Sequence, residues 1–487
     1  MAMPAPDTSG LTEAQRTAIG RALAAGQEGV LRFWDRLDAA GRARLADDLA
    51  AIGFAELERL VADLVIGGPR PVEIDPAGIV PAPVARLAER EAGGAEDARF
   101  RNTGEEALSA GRVAVLTVAG GQGTRLGFDG PKGCYRLGPI TDRTLFRHHA
   151  EKVLAISRRH GANIPWLVMT NQANFEAVGD YLADQCFFGL PADNVFVFSQ
   201  GMMPAVDREG RLILSQQDRL AMSPNGHGGT IAALRDAGLL EKLGELGVDT
   251  VFYYQVDNPL VDVAAAEFVG RHLAAGSEMS LKVVAKRDAG EKVGAVVQRD
   301  GRLEVIEYSD LPGELATATE AGGGLLHWAG SIAIHIFSVA FLKRLADTDA
   351  GLPYHRADKK VPFVDTSGRV VNPGEPNGIK FESFIFDALP RAERALVVEC
   401  AREREFAPVK NATGVDSAES CRAMLVEEWA RWIETAGGEI PRNEDGTVNG
   451  RIEISPVFAP DARALKKKLK PGFKMKPGVD LLLHAAG

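Results

Sequence analysis

The chain has 487 residues, 45% of them apolar and 25% charged, a length beyond which one core stops growing and a composition that excludes disordered and fibrous proteins. Two or three globular domains are expected. With 56 basic against 66 acidic residues the formal charge is −10, which excludes a broad duplex-binding surface and leaves room for a local basic pocket.

The first hundred residues read as helical. Thr12 and Gln15 form a capping-box spacing, and Val30, Phe33, Trp34 and Leu37, then Phe54, Leu57, Val61, Leu64 and Val65, fall at helical intervals. A Gly- and Pro-rich stretch from Ile66 to Gly94 precedes a change of rhythm, so a boundary is expected near residue 100. From Val113 the chain alternates strand-like and helical pieces: strands at Val113–Val118, Trp166–Met169, Val195–Phe198 and Val251–Val256, helices at Leu145–Ile156, Phe175–Leu182, Ile231–Leu243 and Ala264–Leu273. Further strands are predicted at Leu281–Ala285, Ala295–Gln298, Leu303–Tyr308 and Ile332–Ile336. That alternation predicts an α/β fold with a mostly parallel, Rossmann-like central sheet covered by helices on both faces. The domains expected are a helical segment 1–100, a central α/β domain 101–400 and a small C-terminal block 401–487 that ends in a basic, turn-rich stretch around Lys466, Lys467 and Lys468.

Cys134, Cys186, Cys400 and Cys421 are scattered, so neither a disulfide framework nor a zinc site is legible, and reduced thiols in a cytoplasm are expected. No run approaches the roughly 20 apolar residues of a membrane span. The N-terminus lacks the basic and apolar regions of a signal peptide.

The most informative segment is the strand Val113–Val118 running through Ala119 into a loop with Gly120, Gly121, Gly123 and Gly127. Without Cβ atoms such a backbone approaches an anion closely and its N–H groups converge on phosphate oxygens. Arg125 and Lys132 add positive charge beside it. A Walker loop is excluded because no window supplies Gly-x-x-x-x-Gly-Lys-Ser/Thr. A dinucleotide fold, and with it a nicotinamide-dependent oxidoreductase, is the distant alternative: Leu126 stands where the third glycine belongs, and the next strand ends in Thr170-Asn171 without an acidic ribose ligand. The third pattern, Gly-Gly-x-Gly-Thr-Arg-Leu followed by Pro131-Lys132-Gly133, is that of sugar nucleotidyltransferases.

Around that loop stand, in order, Gln200-Gly-Met-Met-Pro-Ala205, Ala221-Met-Ser-Pro-Asn-Gly-His-Gly-Gly229, Val256-Asp-Asn258, Val305-Ile-Glu-Tyr-Ser309, Asn377-Gly-Ile-Lys-Phe-Glu382 and Pro408-Val-Lys-Asn411. With this ordered set the chain resembles the eukaryotic-type uridylyltransferases that make UDP-sugars, most of all the UDP-N-acetylglucosamine pyrophosphorylases, over nearly its whole length. The resemblance implies a nucleotidyltransferase fold of the GT-A-like kind and a reaction of UTP with a sugar 1-phosphate that releases pyrophosphate. It involves neither nucleic acid nor membrane, and leaves the oligomeric state open.

It also implies roles. Arg125 and Lys132 are the catalytic cations. Ala119, Gly120, Gly121, Gly123, Gln200, Gly226, Asp257 and Lys380 bind the nucleotide, Asp257 also holding Mg2+ or Mn2+, a hard cation that suits one carboxylate plus phosphates. His227, Glu307, Tyr308, Ser331 and Lys410 bind the sugar phosphate. Without the resemblance, the lysines read as surface charges and Asp257 as the cap of a turn before Pro259. Two departures bear on the sugar. His227 stands where the acetylglucosamine enzymes usually have Asn, as in UDP-glucose and broad-range enzymes, and Ser331 replaces an Asn beside the sugar. The expected product is UDP-N-acetylglucosamine, with UDP-glucose or a broader UDP-sugar range as the alternative.

Overall fold

A computed structural model describes residues 6–67, 75–92, 94–348 and 351–485. The chain divides into two compact units: one takes the described residues before Asp75 with Gln200–Gly229 and Leu352–Ile385, the other Asp75–Ser199, Thr230–Gly351 and Phe386–Gly487.

The larger unit is built on a ten-stranded sheet. Its strands are β1 (Ile79–Pro81), β2 (Val113–Val118), β3 (Trp166–Thr170), β4 (Val195–Ser199), β5 (Thr250–Gln255), β6 (Met279–Ala285), β7 (Ala295–Arg299), β8 (Arg302–Ile306), β9 (Ala329–Ser338) and β10 (Ala395–Glu399). The path runs β1-β7-β9-β5-β2-β3-β4, with β6 joining β9 to β10 and β8 pairing β7. Strands β5, β2, β3 and β4 are mutually parallel, whereas β9 meets β5, β6 and β7 antiparallel. The parallel strands β2 and β3 are buried along nearly their whole length, which is why they read as unbroken apolar runs rather than alternating ones.

Helices α1 (Ala95–Ser109), α2 (Leu145–His160), α3 (Phe175–Asp184), α4 (Ala266–Ala274), α5 (Val339–Ala346) and α6 (Ala418–Thr435) belong to the same unit. Helix α2 starts at Thr144, whose hydroxyl accepts from Arg147 N at 3.2 Å, and stops at Gly161 with φ +64°. The C-terminal strands Gly450–Ile454 and Val479–Leu483 pair in parallel. Their fully buried Glu453 accepts from the backbone N–H groups of Ile140 and Thr141 at 2.8 Å each, so the C-terminal block is bonded into the loop that leads to α2.

In the smaller unit, helices Glu13–Ala24, Ala39–Ala50 and Phe54–Leu60 pack their apolar faces with Met203, Val206, Leu214, Ile379 and Phe381. The capping box at Thr12 and Gln15 forms. Residues 28–36 differ from a regular helix, forming the 3-10 turns Glu28–Leu31 and Trp34–Arg36. Val30, Leu31, Phe33 and Trp34 are all buried, a set too broad for one helical stripe. The expected helix Ile231–Leu243 is two, Thr230–Asp236 and Leu239–Glu245, because Gly238 at φ +66° breaks it.

Candidate active site

Strand β2 ends with Ala119 N donating to Met169 O at 2.7 Å. Beyond it Gly120, Gly121 and Gln122 leave the ladder, and among the described residues their N–H groups meet no protein acceptor. The loop closes on itself, Gly123 N donating to Gly130 O at 2.9 Å and Lys132 N to Gly121 O at 3.0 Å. Its carbonyl side is tied as well: Asn171, just after β3, donates its amide to Gly120 O at 2.5 Å. Satisfied carbonyls beside unengaged N–H groups make an anion cradle. Arg125 is exposed on this loop and pairs with no carboxylate among the described residues.

Strand β5 lies beside β2 in parallel register, so the segments after both emerge at one edge of the sheet, the edge where open α/β sheets bind ligands. Asp257 is 8% exposed there, and Lys132 Nζ stands 3.2 Å from its Oδ2. The Asp257 carbonyl accepts from Val409 N at 2.8 Å, which places Lys410 one residue beyond that bond, its Nζ 5.7 Å from the Phe406 ring centroid. No group of three metal-ligating side chains exists among the described residues. A lone carboxylate at the mouth of an anion cradle therefore fits a cation that completes its shell with phosphate and water, and not a cage made by the protein.

Glu307 and Tyr308 follow β8, the tyrosine 47% exposed. Ser331 N donates to Gly294 O at 2.9 Å, and a Cβ on Gly294 would lie 3.6 Å from Glu307 Oε1. Gly294 thus links the Ser331 and Glu307 segments. Strand β9 is bulged between them and its foot: its register against β6 shifts between Leu281 and Val283, and Ala333 takes φ +56°.

Gln200, Gly226, His227 and Lys380 lie in the smaller unit. Asn225 N donates to Gly201 O at 3.1 Å and Asn225 O accepts from Ser383 N at 2.8 Å, which brings Gln200, Gly226 and the strand Gly378–Ser383 that carries Lys380 into one cluster. Gly226 has φ +84°, and a Cβ there would meet Ser383 O at 2.3 Å. His227 Nδ1 accepts from Ile385 N at 3.3 Å, and burial pushes its pKa down to about 4, so the ring is neutral. Burial also lowers the Lys380 ammonium, against the opposing pull of Glu382.

Sequence reasoning missed Asn171, Asn225, Asn258 and the pair His148 and His149. Asn225 and Asn258 sit inside quoted motifs, so their position was visible but not their bonding. The two histidines carry no sequence signal that separates core from surface, and both are buried.

Unengaged N–H groups, two cations and one carboxylate at the edge of the sheet's parallel strands are an arrangement suited to a phosphate-bearing ligand. Residues 83–450 match the model of the UTP–glucose-1-phosphate uridylyltransferase family, and the chain belongs to that family. The human UDP-N-acetylhexosamine pyrophosphorylase-like protein 1 is 38% identical over 92% of this chain and 93% of its own. The UDP-N-acetylglucosamine pyrophosphorylase of Saccharomyces cerevisiae is 37% identical over 72% and 75%. Among solved structures, the uridine diphosphate N-acetylglucosamine pyrophosphorylase of Trypanosoma brucei, in complex with inhibitor, superposes with a TM-score of 0.81 at 25% identity, covering 96% of this chain and 99% of that one. The expected α/β nucleotidyltransferase fold is thereby established. No described helix is long and apolar enough to cross a membrane.

Proposed function

We propose that this chain transfers the uridylyl group of UTP to N-acetylglucosamine 1-phosphate, giving UDP-N-acetylglucosamine and pyrophosphate. The 3.2 Å contact of Lys132 with Asp257 beside the glycine loop carries the reading, and the names of the human, yeast and trypanosome relatives support the sugar. A sugar-phosphate oxygen attacks the α-phosphorus in line as the bond to the β-phosphate oxygen breaks, so the protein's work is positioning and charge stabilisation. The N–H groups of Gly120, Gly121 and Gln122 receive the outgoing phosphates, and Lys132 and Arg125 neutralise the charge that builds on pyrophosphate. Lys410 takes the sugar phosphate and Lys380 the nucleotide phosphates. Gln200 and the backbone at Gly226 read the uracil edge, Gln200 through an amide that both donates and accepts. Glu307, Tyr308, His227 and Ser331 bind the sugar. Asp257 holds Mg2+ or Mn2+, which when bound neutralises and orients the phosphates. Four unpaired cysteines suit a reducing, cytoplasmic setting.

Ser331 and His227 favour a second reading, UDP-glucose, since a hydroxyl reaches less far than the amide of Asn towards a 2-acetamido group. Pyrophosphate release measured with UTP and a panel of sugar 1-phosphates decides between them. N-acetylglucosamine 1-phosphate is expected to give the highest kcat/KM; a preference for glucose 1-phosphate selects the second product, and no UTP-dependent release with any sugar overturns the function.

A further inference from the structure

Helix α2 touches both halves of the Lys132–Asp257 pair. Towards the lysine, the Phe146 ring occupies the place of a side chain on Gly133, 2.2 Å from its ideal Cβ, so helix and Lys132 segment are pressed together. Towards the carboxylate, three polar side chains of α2 are spent on the segment that carries Asp257. His149 Nε2 donates to Val256 O at 2.9 Å. Its Nδ1 has no partner among the described residues, and a carbonyl can only accept, so the ring proton sits on Nε2. His148 Nε2 lies 3.0 Å from Pro259 O, and Lys152 Nζ donates to Pro259 O and Val261 O at 2.6 Å each. The far side of the same segment is held by Asn258, whose amide donates to Glu405 O at 2.8 Å and accepts from Ala407 N at 3.0 Å.

Residues 148, 149 and 152 share one face of the helix, and the carbonyls they hold flank Asp257 on one side and follow it on the other. The segment is buried from Val256 to Val261, so its carbonyls are beyond the reach of water and need protein donors, and the donors that satisfy them also fix the backbone on either side of Asp257. Here a buried helix face spends two histidines and a lysine on three carbonyls of one short segment.

We propose that His149, with Lys152, is a positioning residue: through the Val256 carbonyl it fixes the Asp257 carboxylate relative to Lys132, and so sets the affinity for the divalent cation. The proposal rests on Asp257 being the metal ligand, and the test separates the two. It draws on the general finding that groups orienting a metal ligand change metal affinity by about tenfold or more when removed.

The experiment titrates Mn2+ into the UTP-loaded full chain and reads free Mn2+ by electron paramagnetic resonance, alongside UTP binding in EDTA and a melting curve for each variant. His149→Ala is expected to raise the Mn2+ Kd about tenfold while leaving metal-free UTP affinity unchanged. His149→Gln, whose amide donates from nearly the same place as Nε2, is expected to restore most of the loss. A folded His149→Ala protein with wild-type Mn2+ affinity overturns the proposal, as does a loss that His149→Gln fails to recover. Should His149→Ala not fold, Lys152→Met is read by the same criterion. Asp257→Asn is the control: unchanged Mn2+ affinity there removes Asp257 as the ligand, a failure of the underlying reading rather than of the clamp alone.

Discussion

Two glycine-rich turns serve opposite ends. At 120–122 the backbone stands open: a Cβ on Gly121 would find nothing nearer than Lys132 Cε at 3.8 Å, and the N–H groups of Gly120, Gly121 and Gln122 meet no acceptor among the described residues, whereas from Gly123 the loop packs, a Cβ there meeting Phe128 Cδ1 at 2.6 Å. In 225–229 the backbone is packed shut against Ser383, where a Cβ on Gly226 would meet an oxygen at 2.3 Å. Glycine in the first turn leaves space for a ligand; in the second it lets two chain segments touch. The same residue type therefore leaves open backbone at Gly121 and close packing at Gly226, and only the surroundings tell which.

The comparison breaks most directly at the open turn's cation. Lys132→Ala is expected to lower kcat/KM about a hundredfold to a thousandfold, as loss of a preorganised charge at a developing anion does, with an unchanged melting temperature; near-wild-type turnover would strip the open turn of its catalytic partner. At the closed turn, Gly226→Ala combines a positive φ with a steric collision and is expected to cost about 3 kcal/mol in urea denaturation. A variant as stable as the parent would mean that the turn is not packed as described.

Acid tests two buried histidines, His149 on α2 and His272 on α4. Burial depresses His149 to about 3 and His272 to about 4. Between those values and the usual 6.5 the unfolded chain binds the protons that the folded one refuses, so stability is full above pH 6.5 and falls as the pH drops. At pH 5 each ring is expected to remove about 2 kcal/mol, read as a shift of the urea midpoint from pH 7.5. An unchanged midpoint would contradict their neutral burial.

Gly121→Ala sharpens the contrast. It is expected to leave stability within about 0.5 kcal/mol and to weaken UTP about tenfold, because on the proposed reading the added methyl would enter the space that receives the phosphates; equal loss of stability at Gly121 and Gly226 would erase the distinction. Smallest of all, Ser331→Asn is expected to shift the ratio of acetylated to plain sugar by a few fold, since one amide contact is worth about 1 kcal/mol. An unmoved ratio takes position 331 out of the pocket.

The parallel strands were legible because burial on both faces writes them as plain apolar runs, and the glycine loop because its spacing is confined to few chemistries. Helix breaks at single glycines, as at Gly238, were not, since an isolated glycine inside an apolar pattern has no unique meaning until its φ is seen. The bulge at Ala333 escaped for the same reason: nothing in Ile332–Ile336 distinguishes an even strand from one that shifts register.

The amino-acid sequence by itself determined the α/β class and a glycine-rich loop with charged residues beside it, because these depend on local periodicity and on backbone freedom within a few positions. Tertiary structure alone decided that Lys132 meets Asp257, that α2 grips the segment around that carboxylate, and that residues 200–229 and 352–385 gather with the first helices. Each of those depends on a contact between residues more than a hundred positions apart or on which buried carbonyl a side chain finds, and hydrogen bonds across such distances are chosen by packing, which no local pattern encodes.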